Sequence, residues 1–342
     1  MLPLFFVENS KAFLYNNRMM HQAKAKVSMV CPDCQIECRR FGKHRNGLQR
    51  FRCADCGKTY TEEHEKPLGT MTVPVEKAHL ALQMLLEGTS IRSTERITGL
   101  HRDTILKLLV VAGEKCAQIM AKQVRHLQVK DVECDELWGY IGKKEAHKRS
   151  EESENEGLGD AYCFVAMERS TKLIINFTLG RRNQTTTDVF IEGLRDALEP
   201  HHRFQITTDG FQPYVSAITT TLGHRVDFAR LIKVYGSPRE GEQRYSPATV
   251  ESIQVVPVLG NPDPDRICTS IVERQNLTMR MQIRRLTRLT NAFSKKFENH
   301  WAALCLHFAY YNFCRVHKSL RVTPAMEAGI AEHEWSIAEL LS

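Results

Sequence analysis

The chain has 342 residues, 42% hydrophobic and 25% charged, the balance of a globular protein with room for a sizeable core and one or two small modules. Its net charge of +7 is unevenly placed: Lys plus Arg against Asp plus Glu count 21 to 12 over residues 1–130, 15 to 22 over 131–265, and 11 to 2 over 266–321. Basic flanks suit a polyanion, whereas an acidic centre repels one unless bound cations neutralise its carboxylates. No apolar run approaches the roughly 20 residues of a membrane span, and residues 2–7 are too short, with no basic region before them, for a secretory signal. The eleven cysteines form only two close pairs, which fits a reducing compartment and a cytoplasmic protein with no membrane partner.

Residues 1–28 show no period and read as an extension; alternatively, translation starts at Met19, Met20 or Met29. From Cys31 the chain reads CPDC, eighteen residues, then CADC, with Gly57 after the second pair. Cys31, Cys34, Cys53 and Cys56 at that spacing present four thiolates to a tetrahedral zinc, so 29–70 is expected to be a zinc ribbon whose metal provides much of its folding energy. Cys38, His44 and His64 stand nearby as spares. Arg39, Arg40, Lys43, Arg45, Arg50 and Arg52 would make the ribbon a phosphate-contacting module.

Pro74 opens a helical pattern that ends at Gly88. Residues 90–109 then predict a short helix, a turn at Gly99 and a second helix from His101. This spacing suits a helix-turn-helix over 71–125 that offers Arg102 and Lys107 to DNA; a plain three-helix bundle has the same outline.

Period two begins near His126: Leu127, Val129, Asp131, Glu133 and Asp135 share one face, followed by Leu137, Trp138, Tyr140 and Ile141. This strand carries acids where a core face would be apolar. Strands at 161–167 and 173–179 are joined by the turn ERSTK, with an acidic mobile loop, KRSEESENEGLGD, before them. A helix over 185–198 capped by threonines, a strand at 204–207 ending in Asp209-Gly210, and a helix over 213–222 complete an α/β pattern with a mixed sheet. Residues 225–265, rich in proline, read as an insertion of loops and short strands.

Residues 270–291 predict a basic amphipathic helix with Val272, Met279, Ile283, Leu286 and Phe293 in one stripe. A polar ridge of Glu273, Asn276, Arg280, Arg284 and Asn291 lies beside it, and Arg274, Arg285 and Arg288 point further out. Arg280 and Arg284 are candidate phosphate contacts. A helix over 297–313, a cap-and-start at Thr323-Pro324 and a tail from 331 to 342 close the chain.

Magnesium or manganese takes oxygen ligands, and two such ions can activate an attacking oxygen and stabilise a leaving one. Asp135, Asp209 and Glu273 sit at telling places for that chemistry, although by spacing alone Asp131, Glu133 and Glu136 compete with Asp135. Trp138 reads as a core residue or as a base-stacking contact, and Lys143, Lys144, Arg181 and Arg182 as a DNA path or as solvated surface.

CDELWGYIGKK, TTDGFQPY and SIVERQNLTMRMQIRRLTRLTNAFSKK resemble the three acid motifs of DDE transposases, closest to the insertion-element-one type, whose members also begin with a zinc ribbon and a helix-turn-helix. The resemblance covers about residues 29–330, with HKSLRVTPA at 317–325 similar to the segment that closes the domain in related transposases and integrases. It implies an RNase H-like catalytic domain over 126–330, interrupted at 225–265, in which Asp135, Asp209 and Glu273 bind two divalent metals. The implied activity is cleavage and strand transfer of double-stranded DNA at terminal inverted repeats, by a homodimer or higher oligomer at the nucleoid. A non-cutting zinc and helix-turn-helix regulator, or a nuclease on the same fold, would share much of the sequence.

Overall fold

The computed structural model describes residues 28–43, 49–62, 68, 71, 73–152, 155, 157–236 and 250–341. The extension at 1–27, His44, Arg45, His64 and the middle of the expected insertion at 237–249 lie outside the described residues. The chain divides into two compact units, Met1–Glu65 and Lys66–Ser342.

In the first unit the two cysteine pairs build two turns of the same form. Cys31 N donates to Ile36 O and Cys53 N to Lys58 O, at 2.8 and 2.9 Å, and in each turn the residue after the second cysteine is left-handed. That residue is Gly57 in one turn, at no steric cost, and Gln35 in the other. Four antiparallel strands carry the turns: β1 (Met29–Val30), β2 (Glu37–Lys43), β3 (Gln49–Arg52) and β4 (Thr59–Thr61). Their core is Cys31, Cys38, Phe51 and Cys53, too little apolar surface to hold a fold alone.

The second unit begins with three helices: α1 (Val75–Leu86), α2 (Ile91–Thr98) and α3 (Arg102–Gln123). Ser90 caps α2, accepting from Ser93 N, and left-handed Gly99 ends it. Arg102 and Lys107 are exposed on the first turns of α3. The remainder of α3 packs on α7 (Phe297–Phe313) so closely that a Cβ on Gly113 would stand 2.6 Å from Cα and Cβ of Ala302. The helices α1 and α3 and the sheet share one hydrophobic cluster, with no break near residue 125.

The six-stranded sheet has the order β10-β9-β8-β5-β6-β7, formed by β5 (Asp131–Ile141), β6 (Gly159–Glu168), β7 (Ile174–Gly180), β8 (Phe204–Thr208), β9 (Val226–Tyr235) and β10 (Val250–Leu259). β5, β6 and β7 form an antiparallel meander; β8 pairs parallel to β5, β9 parallel to β8, and β10 antiparallel to β9. The helices α4 (Gln184–Ala197) and α5 (Pro213–Thr221) pack together, with α4 also against β7. Eleven residues of α7 are buried, so this helix is a core element on nearly all sides. Its Asn312, fully buried, answers both backbone groups of Ile174 on the edge strand, accepting from N at 3.0 Å and donating to O at 2.8 Å.

Several expectations are corrected here. Residues 226–235 are not part of an insertion: β9 is an inner strand with Val226, Phe228 and Ala229 buried, and the prolines belong outside it. Pro257 lies on β10, an edge strand that needs no ladder donor there. The first strand starts at Asp131, with Leu127 making only a bridge to Leu198. Asn183, not a threonine, caps α4 by accepting from Thr186 N. The described residues at both ends of the acidic loop are tied down: Lys143 pairs with Glu152 at 2.7 Å, and Arg181 pairs with Glu145 and donates to the carbonyls of Leu158 and Asp160. Finally, the helix expected over 270–291 ends at Gln282, giving α6 (Ser270–Gln282), because Ile283 turns extended before a short 3-10 turn, Arg284–Leu286.

Candidate functional site

Strand register brings the first two acids together. Cys134 on β5 pairs with Thr208 on β8, so the next residue of each parallel strand, Asp135 and Asp209, emerges at the same sheet edge. The carboxylates of Asp135, Glu136 and Asp209 have oxygens within 4.8 Å of one another. Asp209 Oδ1 accepts from Phe211 N at 2.9 Å, which fixes the turn after β8. Asp135 Oδ1 accepts from Glu136 N at 2.8 Å, and its Oδ2 from Asn276 Nδ2 of α6 at 2.7 Å.

Alternation along β5 sends Glu136 to the face opposite Asp135. Its neighbours are Arg182 Nε at 3.0 Å and the buried Tyr214. The pairing of β8 with β5 ends at Cys134, and past that end a Glu136 oxygen joins the cluster. Arg182 also reaches Asp209 at 3.4 Å while lying over the Phe211 ring at 3.9 Å.

Crowding sets the electrostatics. Burial first, and then the charges of Asp209 and Glu136, push the Asp135 carboxyl up to about 7, with Glu273 adding to the shift. Glu136 is pushed up to about 7 by burial and by Asp209. Such a cluster favours protons or a cation over free negative charge. Asn276 Oδ1 points the same way: it is buried beside Asp135 with no hydrogen-bond partner among the described residues.

Glu273 stands outside that group of three, one helical turn from Asn276. Its Oε1 accepts from Thr269 Oγ1 at 2.6 Å and pairs with Lys233 of β9. The helix break at Ile283 redistributes the arginines. Arg274, Arg284 and Arg288 are exposed. Arg285, expected to face solvent, is half-buried and donates to Ser294 Oγ and Asn299 O, with burial lowering its pKa to about 10. Arg280, half-buried, is turned toward the carbonyls of Leu286 and Trp138, at 3.2 and 3.5 Å, and braces the turn. Lys144 lies over the Trp138 ring at 5.6 Å, and Trp138, Tyr140 and Phe293 form a partly exposed aromatic row with centroids 5.7 and 4.9 Å apart.

In the other unit the four cysteine sulfurs of the ribbon lie within 4.8 Å of one another, with Cys31 and Cys56 3.7 Å apart. A tetrahedral zinc with bonds of about 2.3 Å separates its sulfurs by about 3.8 Å, so the set fits that ion. The Tyr60 hydroxyl, 3.2 Å from Cys31 Sγ, holds that thiol down to about 6. Cys38 is a core residue and not a fifth ligand.

Sequence reasoning sets Glu136 against Asp135 as a rival and does not foresee the two in one acid group, nor Asn276 and Arg182 as its partners. Alternation along β5 separates Glu136 from Asp135, and only the end of the β8 pairing, which the sequence leaves indefinite, shows that their oxygens meet. No helix among the described residues is long and apolar enough to cross a membrane.

No protein-family profile matches the chain. Over 90 residues, a quarter of its length, it is 32% identical to 91% of the insertion element iso-IS1N protein InsA of Shigella dysenteriae. Among solved structures it aligns with the cryo-EM structure of the piggyBac transposase synaptic complex with hairpin DNA, over 80% of this chain and 72% of that one, at 12% identity and a TM-score of 0.34.

Proposed function

We propose that this chain, which belongs to the family of the insertion-element protein InsA, is a DDE-type transposase that cuts terminal inverted repeats and joins the freed 3′ ends to target DNA. The observation that carries the reading is the meeting of Asp135, within β5, and Asp209, just past the end of the adjacent parallel strand β8, with Glu273 one turn from the Asn276–Asp135 hydrogen bond. A central strand flanked by a meander on one side and parallel strands on the other supports the RNase H-like reading.

In this reading Asp135, Asp209 and Glu273 hold two magnesium or manganese ions, which supply charge stabilisation to the attacking and leaving oxygens of an in-line phosphoryl transfer. Asn276 orients Asp135, and Glu136 adds negative charge beneath the site. Arg182 and Lys233, the cations closest to the acids, turn to the DNA phosphates once the carboxylates have other partners. Cys31, Cys34, Cys53 and Cys56 hold a structural zinc. Arg102, Lys107 and Arg284, all exposed, contact the DNA backbone, and the protein works as a homodimer or higher oligomer on the two element ends.

The test is nicking and strand transfer on an oligonucleotide carrying the element end, with magnesium or manganese. Losing a ligand removes several kcal/mol of charge stabilisation, so Asp135→Ala, Asp209→Ala and Glu273→Ala each lower both steps at least about 100-fold while DNA binding persists. Activity that survives Glu273→Ala overturns the assignment of the third acid. Replacing Arg102 and Lys107 by Ala lowers the salt dependence of binding by about two phosphate contacts. An unchanged slope removes α3 from the interface.

A further inference from the structure

The strand that carries Asp135 has two more acids on the same face, Asp131 and Glu133, and neither belongs to the three-carboxylate cluster. Both reach instead to the segment that leads into α6. Asp131 accepts from Arg266 Nε at 2.8 and 3.1 Å. Glu133 is 2% exposed, and its Oε2 accepts from Ile271 N at 2.9 Å and Val272 N at 3.0 Å.

Those two N–H groups are among the unpaired donors in the first turn of α6. A helix usually answers them with its own capping side chain. Thr269, at that position in α6, does not, because its hydroxyl donates to Glu273 Oε1. The cap therefore comes from another element, 138 residues away in sequence.

We infer that Glu133 is a positioning residue: it supplies from β5 the cap that α6 lacks, and so sets where Glu273 and Asn276 stand relative to Asp135. The spacing fits two matched struts. Glu133 and Asp135 are two residues apart on a strand, about 6.6 Å. Ile271 and Val272 precede Asn276 by five and four residues on the helix, about 7.5 and 6 Å. Two links at similar spacing, Glu133 to the helix start and Asp135 to Asn276, fix both the height and the rotation of α6 on β5, and Glu273 lies between them in sequence. Thr269 is left free to hold Glu273. This role rests on the reading of Asp135, Asp209 and Glu273 as metal ligands.

The test uses the full chain purified with zinc and measures Mn2+ binding without DNA, from the free Mn2+ signal in electron paramagnetic resonance, together with amide exchange of the peptide spanning Ile271 and Val272. Supporting groups of this kind change metal affinity about 10- to 100-fold when lost. Glu133→Ala and Glu133→Asp, the latter one methylene too short, are expected to weaken Mn2+ binding at least about 10-fold and to speed that exchange. Glu133→Gln, which keeps the acceptor at full length, stays within about 3-fold of the parent. Should the Ala variant fail to fold, the Asp and Gln pair decides. Mn2+ affinity unchanged in Glu133→Asp, or as weak in Glu133→Gln as in Glu133→Asp, overturns the positioning role while Asp135→Ala still abolishes binding. Parent-like Mn2+ binding by Asp135→Ala overturns instead the metal reading on which the role depends.

Discussion

The ribbon and the acid site are both clusters of metal-type ligands, yet they are held in opposite ways. Each cysteine pair is set by a turn closed within six residues, Cys31 to Ile36 and Cys53 to Lys58, on strands that bury almost nothing. The carboxylates come from β5, the end of β8 and α6, and their geometry is a product of register and of a large shared core. A local cluster needs its ion in order to fold, because little else holds it. A cluster assembled over long range folds without one and stores the mutual repulsion of its charges. The two sites should therefore respond differently to the same insults.

The largest difference is expected on removing ligands. Asp135→Ala and Asp209→Ala lower catalysis at least about 100-fold and leave the unfolding transition of residues 66–342 in place, since the core there does not depend on the ion. Cys53→Ser with Cys56→Ser, or a strong chelator, does the reverse: it unfolds the ribbon while the larger unit melts as before. Zinc content and amide exchange in residues 28–62 report the first event, and calorimetry the second. A ribbon that keeps its protected amides without zinc would break the comparison, as would a larger unit that unfolds with Asp209→Ala.

The next effect tests whether the larger unit is one core. Gly113→Ala puts a methyl 2.6 Å from Ala302 at the crossing of α3 and α7, an overpacking that costs about 1–3 kcal/mol. Because α3 carries the exposed Arg102 and Lys107 at its other end, the lost stability should appear in a single transition of residues 66–342. A separate low-temperature transition of α1 to α3 would restore the division expected at residue 125.

What could be read from sequence follows the same contrast. The cysteine spacing, the Gly99 turn, the 168–172 hairpin and the helix over 297–313 are local patterns, and the structure has them at or near those positions. Asp209 follows a strand and a glycine turn that are both visible locally, whereas Asp135 stands out from Asp131, Glu133 and Glu136 only through its resemblance to an acid motif, and the structure brings the two side by side. Glu136 in their company was not legible, because that depends on where a different strand stops. Arg285 was misassigned because one extended residue, Ile283, ends the helical period while the apolar stripe continues across the break, keeping Ile283 and Leu286 buried. β9 was hidden by prolines that fall on its edge partner and beyond. Asp131 and Glu133 looked like rivals of Asp135, and only their contacts with Arg266 and the start of α6 separate structural acids from clustered ones.

The smallest effect, and the most specific to stored repulsion, is on the pH dependence of stability. Burial, and then the charge of Asp209, push the carboxyls of Asp135 and Glu136 up to about 7 in the folded chain, above the ordinary carboxylate values of the unfolded one. Between about pH 4 and pH 7 the folded state therefore holds more protons than the unfolded one, and stability falls as pH rises through that window. Above it both states are ionised and the term is constant. Melting temperatures of the parent without added divalent metal should thus decline by a few degrees from about pH 5 to about pH 7.5. Asp135→Asn, which removes the charge at similar size, flattens the decline and leaves an inactive protein more stable than its parent at the upper end. Manganese flattens it too in the parent, because a cation relieves the repulsion that protons otherwise relieve, but has little effect on the Asn variant. Parent and Asp135→Asn curves that run parallel across the window would show that the acid cluster stores no such strain.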